Sequence, residues 1–185
     1  VNQQANVWVG DSAGRQSSGS NNLAVGTAAA GSNVLGNSNT GLGHTAGVRV
    51  NGDSNTAVGG SSGGSVFGSS NTAVGSQAGQ FLGSSTAPTS SRNTALGLQS
   101  GTYVNGQSNV AMGDTAGWGT TGNRNIAIGR WAGNGAVYEG GFPDQTKGTT
   151  TNRTIAIGDT AWTDASQATA IGFGARSKAL NAIAI

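Results

Sequence analysis

The stretch NTAVGSQAG at residues 71–79 rewrites a phrase that already stands as NTAVG at 55–59. Aligned on its glycine, the phrase runs the length of the chain. It reads NVWVG ending at Gly10, NLAVG at Gly26, NTGLG at Gly43, NTAVG at Gly59 and Gly75, and NTALG at Gly97. It continues as NVAMG at Gly113, NIAIG at Gly129, TIAIG at Gly158 and TAIG at Gly172, with a truncated AIAI at the C-terminus. The successive spacings are 16, 17, 16, 16, 22, 16, 16, 29 and 14 residues. A period of 16 is too short for helical repeats, which need about 33 residues or more, and it fits one rung of a β-solenoid. The chain is therefore expected to be all-β, a parallel β-roll of about ten short coils forming one domain over residues 1–185.

Within each phrase the residues on either side of the central Ala share one strand face and the Ala points to the other. The Gly that follows marks a turn, because Gly reaches positive φ without steric cost. Seven residues past it an apolar residue recurs at Val50, Val66, Leu82 and Val104, which predicts a return strand facing the first. Asn opens eight phrases, at Asn6, Asn22, Asn39, Asn55, Asn71, Asn93, Asn109 and Asn125. Stacked coils superpose these side chains about 4.8 Å apart, a spacing at which amides bond up and down a column. The expected structural repeat positions are thus the asparagines together with Gly26, Gly59, Gly75, Gly97, Gly113, Gly129, Gly158 and Gly172. Ten rungs at that spacing make a rod of roughly 50 Å.

The 185 residues include 34 Gly, only 9% are charged, and the apolar residues, 35% of the chain, are spaced periodically, which excludes disorder. Net charge is +2 with Lys and Arg scattered singly, so no basic stripe is present for nucleic acid or anionic lipid. The chain has no Cys, which removes disulfides, thiol nucleophiles and thiolate metal sites and suits an exported bacterial protein. No stretch approaches the roughly 20 apolar residues of a membrane-spanning helix, and Val1 begins no signal peptide. A soluble segment without direct membrane contact is expected.

A coil of Gly, Ala, Ser and Asn buries little apolar area. At about 25 cal/mol per Å² it contends with about 1 to 2 kcal/mol of backbone entropy per residue. Apolar groups stand on both strand faces, so one face is expected inside the coil and the other against neighbouring chains, three around an axis being the natural closed arrangement.

The phrases NTAVGSQAG, NIAIGRWAG and NVAMGDTAG resemble the head repeat of trimeric autotransporter adhesins of the YadA type, whose motif runs N-S-V-A-I-G-x-x-S. The terminal ATAIGFGARSKALNAIAI has the 14-residue spacing usual in that family, with Ala in place of Asn. The likeness extends from Asn6 to Ile185. It implies a left-handed parallel β-roll, association as a homotrimer, and a bacterial cell-surface location, the outer membrane being reached through regions absent here. It also implies binding to extracellular-matrix proteins of the collagen, fibronectin or laminin type, or to host or abiotic surfaces, and autoagglutination. The 16-residue coils call for a wider turn than the family's, and no neck, stalk or membrane β-barrel stands in these residues. The chain is expected to be an excised head segment.

Two insertions break the meter, one within Gln80–Arg92 and one within Asn134–Arg153. Loops on a rigid scaffold are where contact surfaces are elaborated. The second carries Tyr138, Glu139, Phe142, Asp144 and Lys147, either a ligand-contacting tip or a flap packed on a neighbour. Trp8 takes the slot that Ala fills elsewhere and is expected to plug the first rung. Trp118, Trp131 and Trp162 fall just after the strand and form either an outward aromatic ridge or a seal on the turn. Phe81 and Tyr103 are expected in the core. The candidate ligand contacts are Trp118, Trp131, Tyr138, Glu139, Phe142 and Lys147.

Catalytic patterns are absent. His44 is the only histidine and occupies a variable turn position, which leaves no Ser-His-Asp set. GLGHTAG at 41–47 formally satisfies G-x-G-x-x-A, but no helix follows it. Asp11, Asp114 and Asp159 recur rungs apart, too far to pair or to share a metal. No enzyme activity, metal or cofactor is expected. The rival readings are a structural spacer of a surface or phage tail fibre, and an ice-binding solenoid. The latter needs outward Thr in register. Thr40, Thr56, Thr72 and Thr94 begin a column that Val110 and Ile126 continue, and that column is expected to face inward.

Overall fold

A three-residue strand has too few hydrogen bonds and too little apolar surface to stand alone, so each phrase is stable only on its neighbours. The computed structural model describes residues 5–27, 33–83, 90–134, 137–139, 142–144 and 150–185. The strands are β1 (Val7–Val9), β2 (Leu23–Val25), β3 (Thr40–Leu42), β4 (Thr56–Val58), β5 (Thr72–Val74), β6 (Thr94–Leu96), β7 (Val110–Met112) and β8 (Ile126–Ile128). They continue as β9 (Gly133–Asn134), β10 (Val137–Glu139), β11 (Phe142–Asp144), β12 (Ile155–Ile157), β13 (Trp162–Thr163), β14 (Thr169–Ile171), β15 (Arg176–Ser177) and β16 (Ile183–Ala184). The main sheet has 11 strands in the order β1-β2-β3-β4-β5-β6-β7-β8-β12-β14-β16. Neighbours pair parallel and in register, as in Thr56↔Thr72, Ala57↔Ala73 and Val58↔Val74. The chain is all-β among the described residues, a parallel β-solenoid of about nine turns, against about ten expected.

The strand alanines face inward. Ala24, Ala57, Ala73, Ala95, Ala111, Ala127, Ala156 and Ala170 are buried, as are the turn alanines Ala46, Ala78, Ala116, Ala132 and Ala161. A second column of Val34, Val50, Val66, Leu82 and Val104 fills the opposite side of the coil. The residues flanking each strand Ala lie on the outer face, exposed or half-buried throughout. This corrects the inward placement of the threonine column. Thr72 and Thr94 are exposed, and Thr40 and Thr56 are half-buried, because the Ala or Gly that follows each of them takes the inward face of the strand.

The return arm also differs from expectation. Across the 16-residue coils it is reduced to isolated bridges, Asn51↔Phe67 and Asn105↔Thr121. A return strand forms only in the last coils, where β9, β13 and β15 make a three-stranded parallel sheet. There the residue four past the Gly already runs back, as at Trp162 after Gly158. The longer coils spend those positions on a wider corner, in which Gly47, Gly63, Gly79, Gly101 and Gly117, four past the phrase Gly, hold φ of 58 to 63°.

Two hydrogen-bond columns lock the stack. Along the inner one, Oδ1 of each Asn from Asn6 to Asn109 accepts the backbone N–H of the next Asn at 2.7–3.0 Å. Each Nδ2 donates to a carbonyl at the corner of the following coil, as Asn71 does to Ser90 at 2.8 Å and Asn109 to Gly122 at 2.9 Å. The column ends on Thr154, whose Oγ1 donates to Asn125 Oδ1 at 2.8 Å. The outer column runs in the opposite sense, two residues earlier in each coil. Asn37 Oδ1 accepts from Ser20 N–H, Asp53 Oδ1 from Asn37, Ser69 Oγ from Asp53 and Ser91 Oγ from Ser69.

The phrase glycines have φ between +120 and +148°. A Cβ at Gly10, Gly26, Gly43, Gly59, Gly75, Gly97, Gly113, Gly129 or Gly158 would lie 2.0–2.7 Å from the carbonyl oxygen of the next glycine in the column. Close approach of coil to coil, as well as turn geometry, therefore requires them.

Candidate functional site

Each 16-residue coil turns at an αL corner six residues past its Gly. Arg49, Ser65, Phe81 and Tyr103 occupy that corner in successive coils, as Asn33 does seven past Gly26 in the 17-residue coil, with φ of 54 to 59°. A β-carbon is disfavoured in this conformation, and a bulky one more so. Backbone bonds hold the corner regardless, with Ser65 N–H on Val48 O at 2.8 Å, Phe81 on Gly64 at 2.8 Å and Tyr103 on Gln80 at 2.9 Å. Because the corner repeats in register, aromatics in adjacent coils must meet. The Phe81 and Tyr103 rings are stacked, with centroids 4.7 Å apart and planes at 8°. Trp118, from the next coil, lies tilted on Tyr103 at 5.8 Å.

This corrects the core placement of Phe81 and Tyr103, which are 41% and 38% exposed. The valine column beside them fills the interior, and the αL corner turns their side chains outward. The ridge is flanked by amides and hydroxyls. Gln99 Nε2 donates to Gln77 Oε1 at 2.7 Å, Gln80 Nε2 to Ser61 O at 2.7 Å, and Thr102 Oγ1 to Gln99 O at 3.0 Å. Trp118 Nε1 is buried and without a partner.

The other tryptophans separate by environment. Trp162 is 7% exposed and lies flat on Gly133, where a Cβ would meet the indole at 2.1 Å. Its Nε1 donates to Asp164, which also pairs with Arg176 at 2.9 Å. Trp162 is thus a wall of the last coils. Trp131 is half-buried at φ 58°, on the corner two residues past Gly129. Trp8 pairs in register with Ala24 and lies against Gly14 in the first rung.

Of the insertion residues, Tyr138 and Glu139 lie on β10 and Phe142 on β11, an antiparallel pair with register Tyr138↔Pro143 and Glu139↔Phe142. Lys147 lies outside the described residues, as do positions 84–89 of the first insertion. The hairpin and the aromatic ridge are borne by different coils.

His44 is exposed in its turn. Arg130 pairs with Asp159 at 2.9 Å on the surface, one step along the column in which Asp114 also stands. No cluster of three or more His, Cys, Asp or Glu is placed to hold a metal among the described residues. The Asn152-Arg153-Thr154 sequon is consumed by the stack, since Asn152 Oδ1 accepts from Asn123 N–H at 2.9 Å and Thr154 is fully buried.

Fold and surface together define a parallel β-solenoid with an aliphatic outer sheet face, an aromatic corner ridge and one hairpin insertion. The chain matches no protein-family model and no curated protein.

Proposed function

We propose that this chain is a binding segment of a bacterial surface fibre, a YadA-like head that works as a left-handed β-roll homotrimer and carries no catalytic activity. The observation that carries the reading is the outer face of the main sheet. Val7, Val9, Val25, Leu96, Met112 and Ile171 stand there 37 to 52% exposed, in register from coil to coil. A continuous aliphatic stripe of this kind on a thin coil is a protein–protein surface. Three copies around an axis close it without leaving an edge. The remaining corners, rich in Ser, Thr, Asn and Gln and bearing the ridge and the hairpin, face outward to matrix proteins of the collagen, fibronectin or laminin type. Three weak sites per particle then gain effective concentration together.

Light scattering on the purified chain, beside a binding assay on collagen, fibronectin and laminin, tests this. A mass near three times 18.0 kDa with saturable binding is expected. A monomer overturns the trimer, and a trimer that binds nothing leaves the spacer of a surface or phage tail fibre.

The outward threonines favour a second reading. Thr40, Thr56, Thr72 and Thr94 line up in register beside Leu42, Val58, Val74 and Leu96, a regular array that an ice lattice can match. It uses the face that the trimer covers, so thermal hysteresis in a monomer selects it and its absence removes it.

A further inference from the structure

Among the described residues the aromatic ridge has one open face. Tyr103 covers one side of the Phe81 ring, but the coil on the other side carries Ser65 at the same corner, and the coil beyond that carries Arg49. Successive corners are about 4.8 Å apart, so Phe81 and Arg49 stand about 9.6 Å apart along the axis, with only the Ser65 hydroxymethyl between them among the described residues. A single ring needs about 3.5 to 4 Å of clearance on each side. The notch is one ring thick.

We propose that this notch binds one pyranose unit of an acidic glycan. The sugar's apolar face stacks on Phe81, its hydroxyls meet the surrounding amide and hydroxyl groups, and its carboxylate meets Arg49. The inference names the ligand class of the binding surface proposed above and rests on that reading. Arg49 is exposed and has no carboxylate paired to it among the described residues, so its charge is free for an anion. A protein partner is the less favoured occupant. A stable protein interface needs roughly 800 Å² per partner with an apolar centre, whereas three rings set among glutamines and serines suit a small ring with a polar rim.

The experiment is calorimetric titration of the 185-residue chain with an oligogalacturonate and with a neutral cello-oligosaccharide, repeated on Ser65→Tyr and Arg49→Gln. Ser65→Tyr fills the notch with a ring that this corner accepts at Phe81 and Tyr103. Saturable binding of the uronate is expected, weakened about ten-fold or more by Ser65→Tyr. The preference over the neutral sugar should be lost in Arg49→Gln. Should Ser65→Tyr not fold, Phe81→Ser, which restores the residue of the preceding coil, serves instead and is expected to weaken binding similarly.

Lack of saturable binding to either sugar overturns the proposal, as does binding indifferent to the notch variants. Binding to an enzymatically deglycosylated matrix protein that Ser65→Tyr abolishes overturns it in favour of a peptide ligand. A monomer that binds uronate removes the trimer and leaves the notch. A trimer that binds matrix protein and no sugar does the reverse.

Discussion

At the scale of single residues the repeat separates two reasons for a glycine. Gly47 and Gly113 both stand at positive φ, 63 and 128°. A Cβ on Gly113 would sit 2.7 Å from the next coil's carbonyl oxygen, whereas the nearest atom to one on Gly47 is 3.5 Å away, an ordinary contact. Gly47→Ala therefore carries the conformational cost, about 1 to 2 kcal/mol, and Gly113→Ala adds the separation of two coils. Thermal melts of the pair should show a markedly larger loss for Gly113→Ala, and equal losses would mean that contact with the next coil adds nothing. The inner asparagines give a second prediction. Asn71→Ala strands the N–H of Asn93 and the carbonyl of Ser90, both buried against Asn71. At about 1 to 3 kcal/mol for each group, a loss of about 3 kcal/mol is expected by chemical denaturation. This column was legible in the sequence because one residue type recurs at one position. The outer column was not, since Asn37, Asp53, Ser69 and Ser91 share only an oxygen acceptor. The second glycine of the coil, at Gly36, Gly52, Gly68, Gly106 and Gly122, carried a signal that the strand phrase overshadowed.

At the scale of elements, the strand phrase was readable because small-residue alternation leaves one geometry in which Ala is inside. The return arm was misread as a strand for a physical reason. An apolar residue once per coil fixes which way one side chain points, but a strand also needs consecutive residues extended, and the wide αL corner takes those residues away. The arm is consequently held by its single apolar column. Leu82 is 1% exposed between Val66 and Val104, and the ladders on either side keep the coils from closing on a void. Leu82→Ala should cost about 3 to 5 kcal/mol, at the upper part of the range for such truncations, and a loss below about 2 kcal/mol would show that the stack can relax. The hairpin is the opposite case. Gly140-Gly141 between Val137–Glu139 and Phe142–Asp144 is a two-residue turn signal that the reading of this segment as an insertion loop did not use. Replacing residues 135–149 by a short Gly-Ser linker leaves β9 and β13 paired, so the melting temperature should change by only a few degrees.

At the scale of the whole molecule, the interior is one alanine column and one valine column thick, and apart from Leu82 the larger aliphatic groups are exposed or half-buried. The inward and outward assignments of the strand could not be completed from one chain. Periodicity tells two faces apart, but only the width of the coil decides that the central Ala of the strand phrase goes inside and that its flanking Thr, Val and Ile do not. The proposed homotrimer would turn this into a concentration effect. If the outer face is covered by two other copies, folded stability includes association, and the melting temperature rises with protein concentration as mass action requires. A solitary solenoid melts independently of concentration. Val74→Lys combined with Leu96→Lys sharpens the comparison, because these neighbours on the outer face would bring six ammonium groups into the centre of a trimer, where unpaired charge is costly. In the monomer the same side chains, half-buried at Val74 and exposed at Leu96, reach water freely. The variant should sediment as a monomer, retain the β circular-dichroism spectrum only if the coil is stable alone, and lose the concentration dependence of its melt. A variant that remains trimeric would place the interface elsewhere, and the aliphatic stripe would then need another cover.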